Sequence, residues 1–332
     1  MPRLQWSTNP YKEALLIPDN PEKHVSARGF SIAFTSAVIL SFTGILIRMI
    51  SEDYGLPALI LAFWREFFVV LTCFPYLLLF KRHLLKINPK NLPFLILFGA
   101  VLALFNILWT LAVTLTGAAV ATVLVYASAA FTAILGRIFM KEQLGWIKII
   151  AVVLCLGGCL LVSGATSQAA WQTNTVGILT GLSSGLMYAV YSLMGRRASQ
   201  RELNPWSALF YTFLFAAVIL LTLNLLPLYF IPATASRPEE MFFLGNAWRG
   251  WLLLFLLAAG PTLLGFGLYN VSLSLLPSNT ANLIVTSEPV FTIITAYFLL
   301  GERLTGLEIV GSLLILSALV ILRLNKNALQ GG

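Results

Sequence analysis

Residues Asn282–Arg303, NLIVTSEPVFTIITAYFLLGER, decide how this chain is read, because a fainter copy, TVLVYASAAFTAILGRIFMKEQ, stands 160 residues earlier at Thr122–Gln143. Superposed without a gap, the two stretches put Phe131 on Phe291, Thr132 on Thr292 and Glu142 on Glu302. The same register sets Trp109 on Tyr269 and Thr114 on Ser274. A second offset, 148, relates Ser36 to Ser184, Arg48 to Arg196 and Pro57 to Pro205, so a 12-residue insertion separates the two registers. Self-similarity of this kind marks a duplicated structural unit.

Composition says what the unit is. Of 332 residues, 58% are hydrophobic and 10% charged, whereas a soluble domain carries about 25% charged residues. The apolar residues come in runs long enough to cross a hydrocarbon core of ~30 Å as helix. Ten such runs are expected, near residues 29–50, 56–80, 92–113, 117–140, 147–165, 175–196, 205–228, 249–272, 279–300 and 306–324. They lack the two-residue alternation of barrel strands, which excludes a β-barrel. The fold expected is therefore all-α and integral to the bilayer, with ten transmembrane helices. Residues 29–165 form the first five-helix repeat and 175–324 the second, between a polar tail at 1–28 and a short one at 325–332. The tail at 1–28 has no apolar core and is not a signal peptide.

The net charge of +8 does not point to nucleic acid, because the basic residues sit in loops beside apolar spans. They report topology instead. With the N-terminus in the cytoplasm, the inner segments hold Arg3, Lys12, Lys23, Arg28, Lys81, Arg82, Lys86, Lys90, Arg137, Lys141, Lys148, Arg196, Arg197, Arg201, Arg323 and Lys326. The outer side holds Arg48, Arg237, Arg249 and Arg303. Both termini are thus expected in the cytoplasm of a plasma (inner) membrane, Lys141 inside and Arg303 outside. Five spans per repeat is odd, so the second half enters inverted, an architecture of secondary transporters with the solute site between the repeats.

Polar groups inside the spans mark candidate sites. A charge at the bilayer centre costs about 2.5–3.5 kcal/mol on insertion scales, which singles out Arg65, Glu66 and Glu288. Arg65 is expected to lock helices together, with Glu288 its leading partner. Arg65 and Glu66, about 100° apart on the helix, are not expected to share one partner. If transport is proton-coupled, Glu66 or Glu288 carries the proton; uncoupled diffusion is the alternative. On the ninth span Asn279, Asn282 and Thr286 form one polar stripe, answered on the fourth by Ala119, Thr122, Tyr126 and Ala129. Trp109 with Tyr269, and Tyr188 with Tyr191, add aromatic surface suited to amphipathic solutes, against the competing reading of Trp109 and Tyr269 as interfacial anchors. Pro261, among Gly260, Gly265 and Gly267, and Pro289 are expected to bend their helices.

The remaining signals concern packing. Gly181 and Gly185, and Gly157, Gly158 and Gly164, permit close helix approach. Cys73, Cys155 and Cys159 lie in spans and imply no disulfides. His24 and His83 sit in polar segments, so neither a metal site nor a cofactor is expected.

Taken together, the paired repeats, FWRE around Arg65 and above all SEPVFTIITAYFLLGER, with Glu288, Pro289, Gly301, Glu302 and Arg303, resemble the drug/metabolite transporter superfamily. The resemblance is to its EamA-type ten-helix permeases, over residues 30–324. The first repeat departs from the motif, with Ser128-Ala129 for Glu288-Pro289 and Lys141-Glu142-Gln143 for Gly301-Glu302-Arg303. The resemblance implies a secondary transporter, an exporter or facilitator of small metabolites, amino acids first among them. It also implies a central cavity lined by the first, third, fourth, sixth, eighth and ninth helices. A sugar-phosphate or nucleotide-sugar exchanger of the same superfamily is the alternative, disfavoured because phosphate calls for several cations and Arg65 is the one well inside a span. An integral-membrane enzyme is disfavoured because the spans hold no aspartate and no HExxH. Solute, coupling ion and oligomeric state stay open at this point.

Overall fold

The computed structural model describes residues 21–163, 175–226, 235, 237–300 and 305–325, and every regular element in them is helical. The membrane helices are α1 (Ala27–Tyr54), α2 (Ala58–Phe80), α3 (Pro89–Val113), α4 (Val120–Phe139), α5 (Trp146–Val162), α6 (Thr175–Gln200), α7 (Pro205–Leu225), α8 (Trp248–Leu275), α9 (Ser278–Leu299) and α10 (Gly306–Leu324). Among the described residues nine of these are long and apolar enough to cross a membrane. The tenth, α5, has 17 residues, about 26 Å of helix, and stands at the fifth expected run. Large apolar side chains cover the exterior: Phe80, Phe139 and Phe298 are 70%, 71% and 77% exposed. Water would penalise such a surface, and a hydrocarbon solvent suits it.

Local sequence sets the ends. Pro205 opens α7 behind an Asn204 side chain that accepts from Trp206 N. Thr305 and Glu308 form a reciprocal capping box on α10, which satisfies two otherwise orphaned donors. Residue 21, the first of the described residues, is already helical, ahead of the run expected from Gly29.

Helical backbone continues from Leu92 to Tyr126, through the boundary between the third and fourth runs. Its contacts nevertheless reverse. Phe105 packs on Tyr188 at 5.3 Å, Leu115 and Thr116 abut Gly177, and Leu124 abuts Gly181 and Gly185. Contacts along α6 therefore run toward its start as far as Thr116 and lie further along it again by Leu124. Gly181 and Gly185 let α4 approach α6 closely. Gly158 and Gly311 do the same for α5 and α10, where a Cβ on either would fall 2.6–2.7 Å from the other's carbonyl oxygen. Gly164 lies outside the described residues.

Among the described residues four of the helices are interrupted: α1 at Ser41, α4 at Ala127, α8 over the π-helical Ala258–Gly265, and α9 at Thr286–Ser287. Pro261 lies within the α8 interruption and Pro289 just beyond that in α9. Pro261 cannot donate to the Leu257 carbonyl, and the Thr262 hydroxyl bonds it instead at 2.8 Å. The Gly265 carbonyl accepts from Ser36 of α1 at 2.8 Å. The breaks at Ala127 and Ser287 are equivalent in the two repeats, each marked by a bond to the carbonyl three residues back. Ala129 stands where Pro289 does, so a proline is not what makes the break in α4.

Candidate functional site

One end of the bundle is tied across the repeats. At the end of α4, Lys141 takes a left-handed conformation (φ 56°) and turns Glu142 inward, where it is 7% exposed. Its carboxylate accepts from the Ser278 backbone N–H at 2.6 Å, the Ser278 hydroxyl at 2.8 Å and the Asn279 N–H at 3.1 Å. These are donors of the first turn of α9, where the helix dipole favours an anion. Gly136 leaves room for it: a Cβ there would meet Glu142 Oε2 at 2.7 Å. Lys148 donates to the Gln143 carbonyl and to Asn279 Oδ1 at 2.9 and 3.1 Å. Arg196 of α6 caps the last carbonyls of α8, Leu273 and Ser274.

A second polar layer lies one turn further in. Ser192 Oγ and Tyr269 Oη are 2.6 Å apart, Asn282 Nδ2 donates to both, and Ser128 Oγ donates to Asn282 Oδ1. All four residues are completely buried, and they come from α6, α8, α9 and α4. Tyr269 is thus a core hydrogen-bonding group, which removes the interfacial-anchor reading for it. Its ring stacks with Tyr188 and Tyr191 at 6.0 and 6.5 Å, and Tyr191 accepts from Asn270 at 3.0 Å.

Above that layer, about 15 Å along α9 from Ser278, the side chains are less covered. Glu288, Tyr126 and Tyr188 are part-exposed there, and Thr122 of α4 and Trp109 of α3 are part-exposed as well. The Tyr126 hydroxyl hydrogen-bonds the Glu288 carboxylate, joining the two equivalent breaks across the repeats. Tyr188 and Cys159 stand close enough to Glu288 to interact electrostatically. Thr286 is buried and turns its hydroxyl onto the Asn282 carbonyl of its own helix at 2.9 Å. The expected polar stripe therefore divides by depth: Asn279 joins the tied end, Asn282 the buried layer, and Thr286 the floor below Glu288.

The expected Arg65–Glu288 pairing is not what forms. Arg65 Nη2 meets Glu66 Oε1 at 3.0 Å and Asn106 Oδ1 at 2.6 Å, while Asn106 Nδ2 donates to Glu66 Oε1 at 3.1 Å. Adjacent residues do share a partner after all, because two long flexible side chains bend across the 100° between them to the same amide on α3. All three residues are buried.

Sequence reasoning passed over Asn106, Ser128, Ser192 and the role of Glu142. The available signal was a polar residue inside an apolar run, and Glu142 was already paired with Glu302 by the repeat. Gly301, Glu302 and Arg303 lie outside the described residues, as do the tail at 1–20, residues 326–332 and the Ala119 side chain. Among the described residues no group of three metal-ligating side chains occurs.

The chain matches the EamA-like transporter family over residues 27–164 and again over 175–324. An uncharacterized transporter of Synechocystis sp. is 24% identical over 327 residues, covering 91% of this chain and 95% of that protein. The S-adenosylmethionine uptake transporter of Rickettsia conorii is 23% identical over 271 residues, covering 81% and 84%. A crystal structure at 15% identity superposes with a TM-score of 0.72 over 90% of this chain and 97% of its own, a likeness of fold.

Proposed function

We propose, from the premise that this chain belongs to the EamA-like transporter family, that it carries small amphipathic metabolites across the membrane by alternating access. Amino acids and related molecules are the first candidates, and export is the proposed direction. The observation that carries this reading is the joining of the two repeats at their equivalent helix breaks, Tyr126 to Glu288, above an end closed by Glu142 and the Ser128–Ser192–Tyr269–Asn282 layer. A solute held at the breaks touches both repeats. Opening the closed end requires Glu142 to leave the start of α9. The stacked tyrosines offer an apolar surface with polar edges, and Trp109 and Thr122 extend the same lining.

The relative named for S-adenosylmethionine uptake supports a solute that combines an amino-acid part with an apolar part. A phosphate-bearing solute fits less well, because Arg65 is engaged by Glu66 and Asn106 and among the described residues no cluster of cations remains beside Glu288 to replace phosphate hydration. Should transport be proton-coupled, Glu288 is the carrier of choice, since Glu66 already has its countercharge. A carrier, unlike an enzyme, releases its solute unchanged, which analysis of the transported solute would check.

Proteoliposomes tested against amino acids and amines, with and without a pH gradient, should accumulate or exchange at least one of them. The sidedness follows from the basic loops: cysteines placed at 141 and 303 should label from opposite sides, Lys141→Cys from the cytoplasm. Labelling from the same side would overturn the inverted arrangement.

A further inference from the structure

We propose that Glu288 is the counter-ion for the positive group of the carried solute, an organic ammonium or the ammonium end of a zwitterion; the inference rests on the transport reading above. A buried charge is stable only when paired or hydrogen-bonded. Of the three ionisable groups deep in the spans, Arg65 and Glu66 pair with each other, which leaves Glu288 as a carboxyl with no protein cation beside it among the described residues. Among the described residues its neighbours are neutral: Tyr126 from α4, which hydrogen-bonds it, Cys159 from α5 and Tyr188 from α6. The Tyr126 hydroxyl and the amide dipoles of the half-helix that starts at Glu288 steady an anion but supply no countercharge. Unlike Glu66, which is completely buried, Glu288 is part-exposed.

The surroundings suit a cation. Tyrosine faces attract an ammonium group through the ring quadrupole, and Tyr126 and Tyr188 flank the carboxylate from two different helices. A solute whose only charge is a carboxylate or phosphate would meet the same groups as repulsion, which is how a site rejects the wrong partner. Because Glu288 comes from the second repeat and Tyr126 from the first, a cation bound between them also replaces part of the direct Tyr126–Glu288 contact.

Three probes with one aryl group and different charge test this on the purified full-length protein: phenethylamine, phenylalanine and phenylacetate. The first two should bind and raise the melting temperature, and phenylacetate should not. Glu288→Gln should weaken phenethylamine binding at least about tenfold, as loss of one member of a buried charge pair does. A second measurement uses the unaltered protein: carbodiimide labelling of Glu288, located by peptide mass spectrometry, should be slowed by phenethylamine and not by phenylacetate. Equal binding of phenylacetate, unchanged affinity in a folded Glu288→Gln, no probe binding at all, or labelling indifferent to phenethylamine would each overturn the assignment. Failure of the transport reading itself would look different: no solute of any charge would move in proteoliposomes.

Discussion

Glu66 and Glu288 are two acids in the same apolar bundle with opposite surroundings. Glu66 is sealed between α2 and α3, with a guanidinium beside it and an amide bonding both. Glu288 is part-exposed at a helix break, with a tyrosine hydroxyl for company. The first arrangement has its countercharge built in, although Arg65 Nε and Glu66 Oε2 find no hydrogen-bond partner among the described residues. The second is a carboxyl without a protein countercharge in a place where two repeats meet. The contrast teaches that in-span charge alone does not mark a transport site; what matters is whether the protein supplies the countercharge.

The largest effect should come from breaking the complete pair. Arg65→Ala leaves Glu66 buried without a cation, a change that costs about 3–5 kcal/mol, and folded yield in detergent should collapse. Removing both charges, Arg65→Ala with Glu66→Ala, should recover part of that yield. A well-folded but inactive Arg65→Ala would erase the contrast by moving Arg65 to the solute site.

Next in size is the tied end. Glu142→Ala strips the start of α9 of its acceptor, and losing such a cap costs about 1–2 kcal/mol. Thermal melting should fall accordingly, and a cysteine at 278 should become more reactive in the same background. Unchanged melting and reactivity would mean that Glu142 does not hold the end closed. Tyr126→Ala and Tyr188→Ala come third. Each removes one aromatic face, worth about 0.5–2 kcal/mol to a cation, so apparent affinity should fall several-fold at matched expression. Thr286→Ala should change affinity least, since that hydroxyl is spent on its own helix. A larger loss for Thr286→Ala than for Tyr188→Ala would place the lining on another face of α9.

Much of this was legible in the residues. Hydrophobic run length and the repeat offset located the helices, because both are one-dimensional properties that folding in lipid preserves. The prolines pointed to the interruptions in α8 and α9. The break at Ala127 was not legible, since no proline or glycine stands there; its equivalence to Ser287 emerges from the hydrogen bonds. The partner of Arg65 was also out of reach. A wheel projection fixes where Cβ points, not where a six-atom side chain ends, and Asn106 lies 41 residues away in sequence. Glu142 was visible as a repeat position, while its role depends on the turn at Lys141 and on the space left by Gly136.

The most direct test sets the two acids side by side: melting temperature and solute transport in proteoliposomes for Glu66→Gln and Glu288→Gln at equal reconstitution. The account predicts a crossed result. Glu66→Gln should lose stability while the surviving folded fraction still transports; Glu288→Gln should melt near the unaltered protein yet lose transport of ammonium-bearing solutes. Stable, inactive Glu66→Gln together with fully active Glu288→Gln would contradict it.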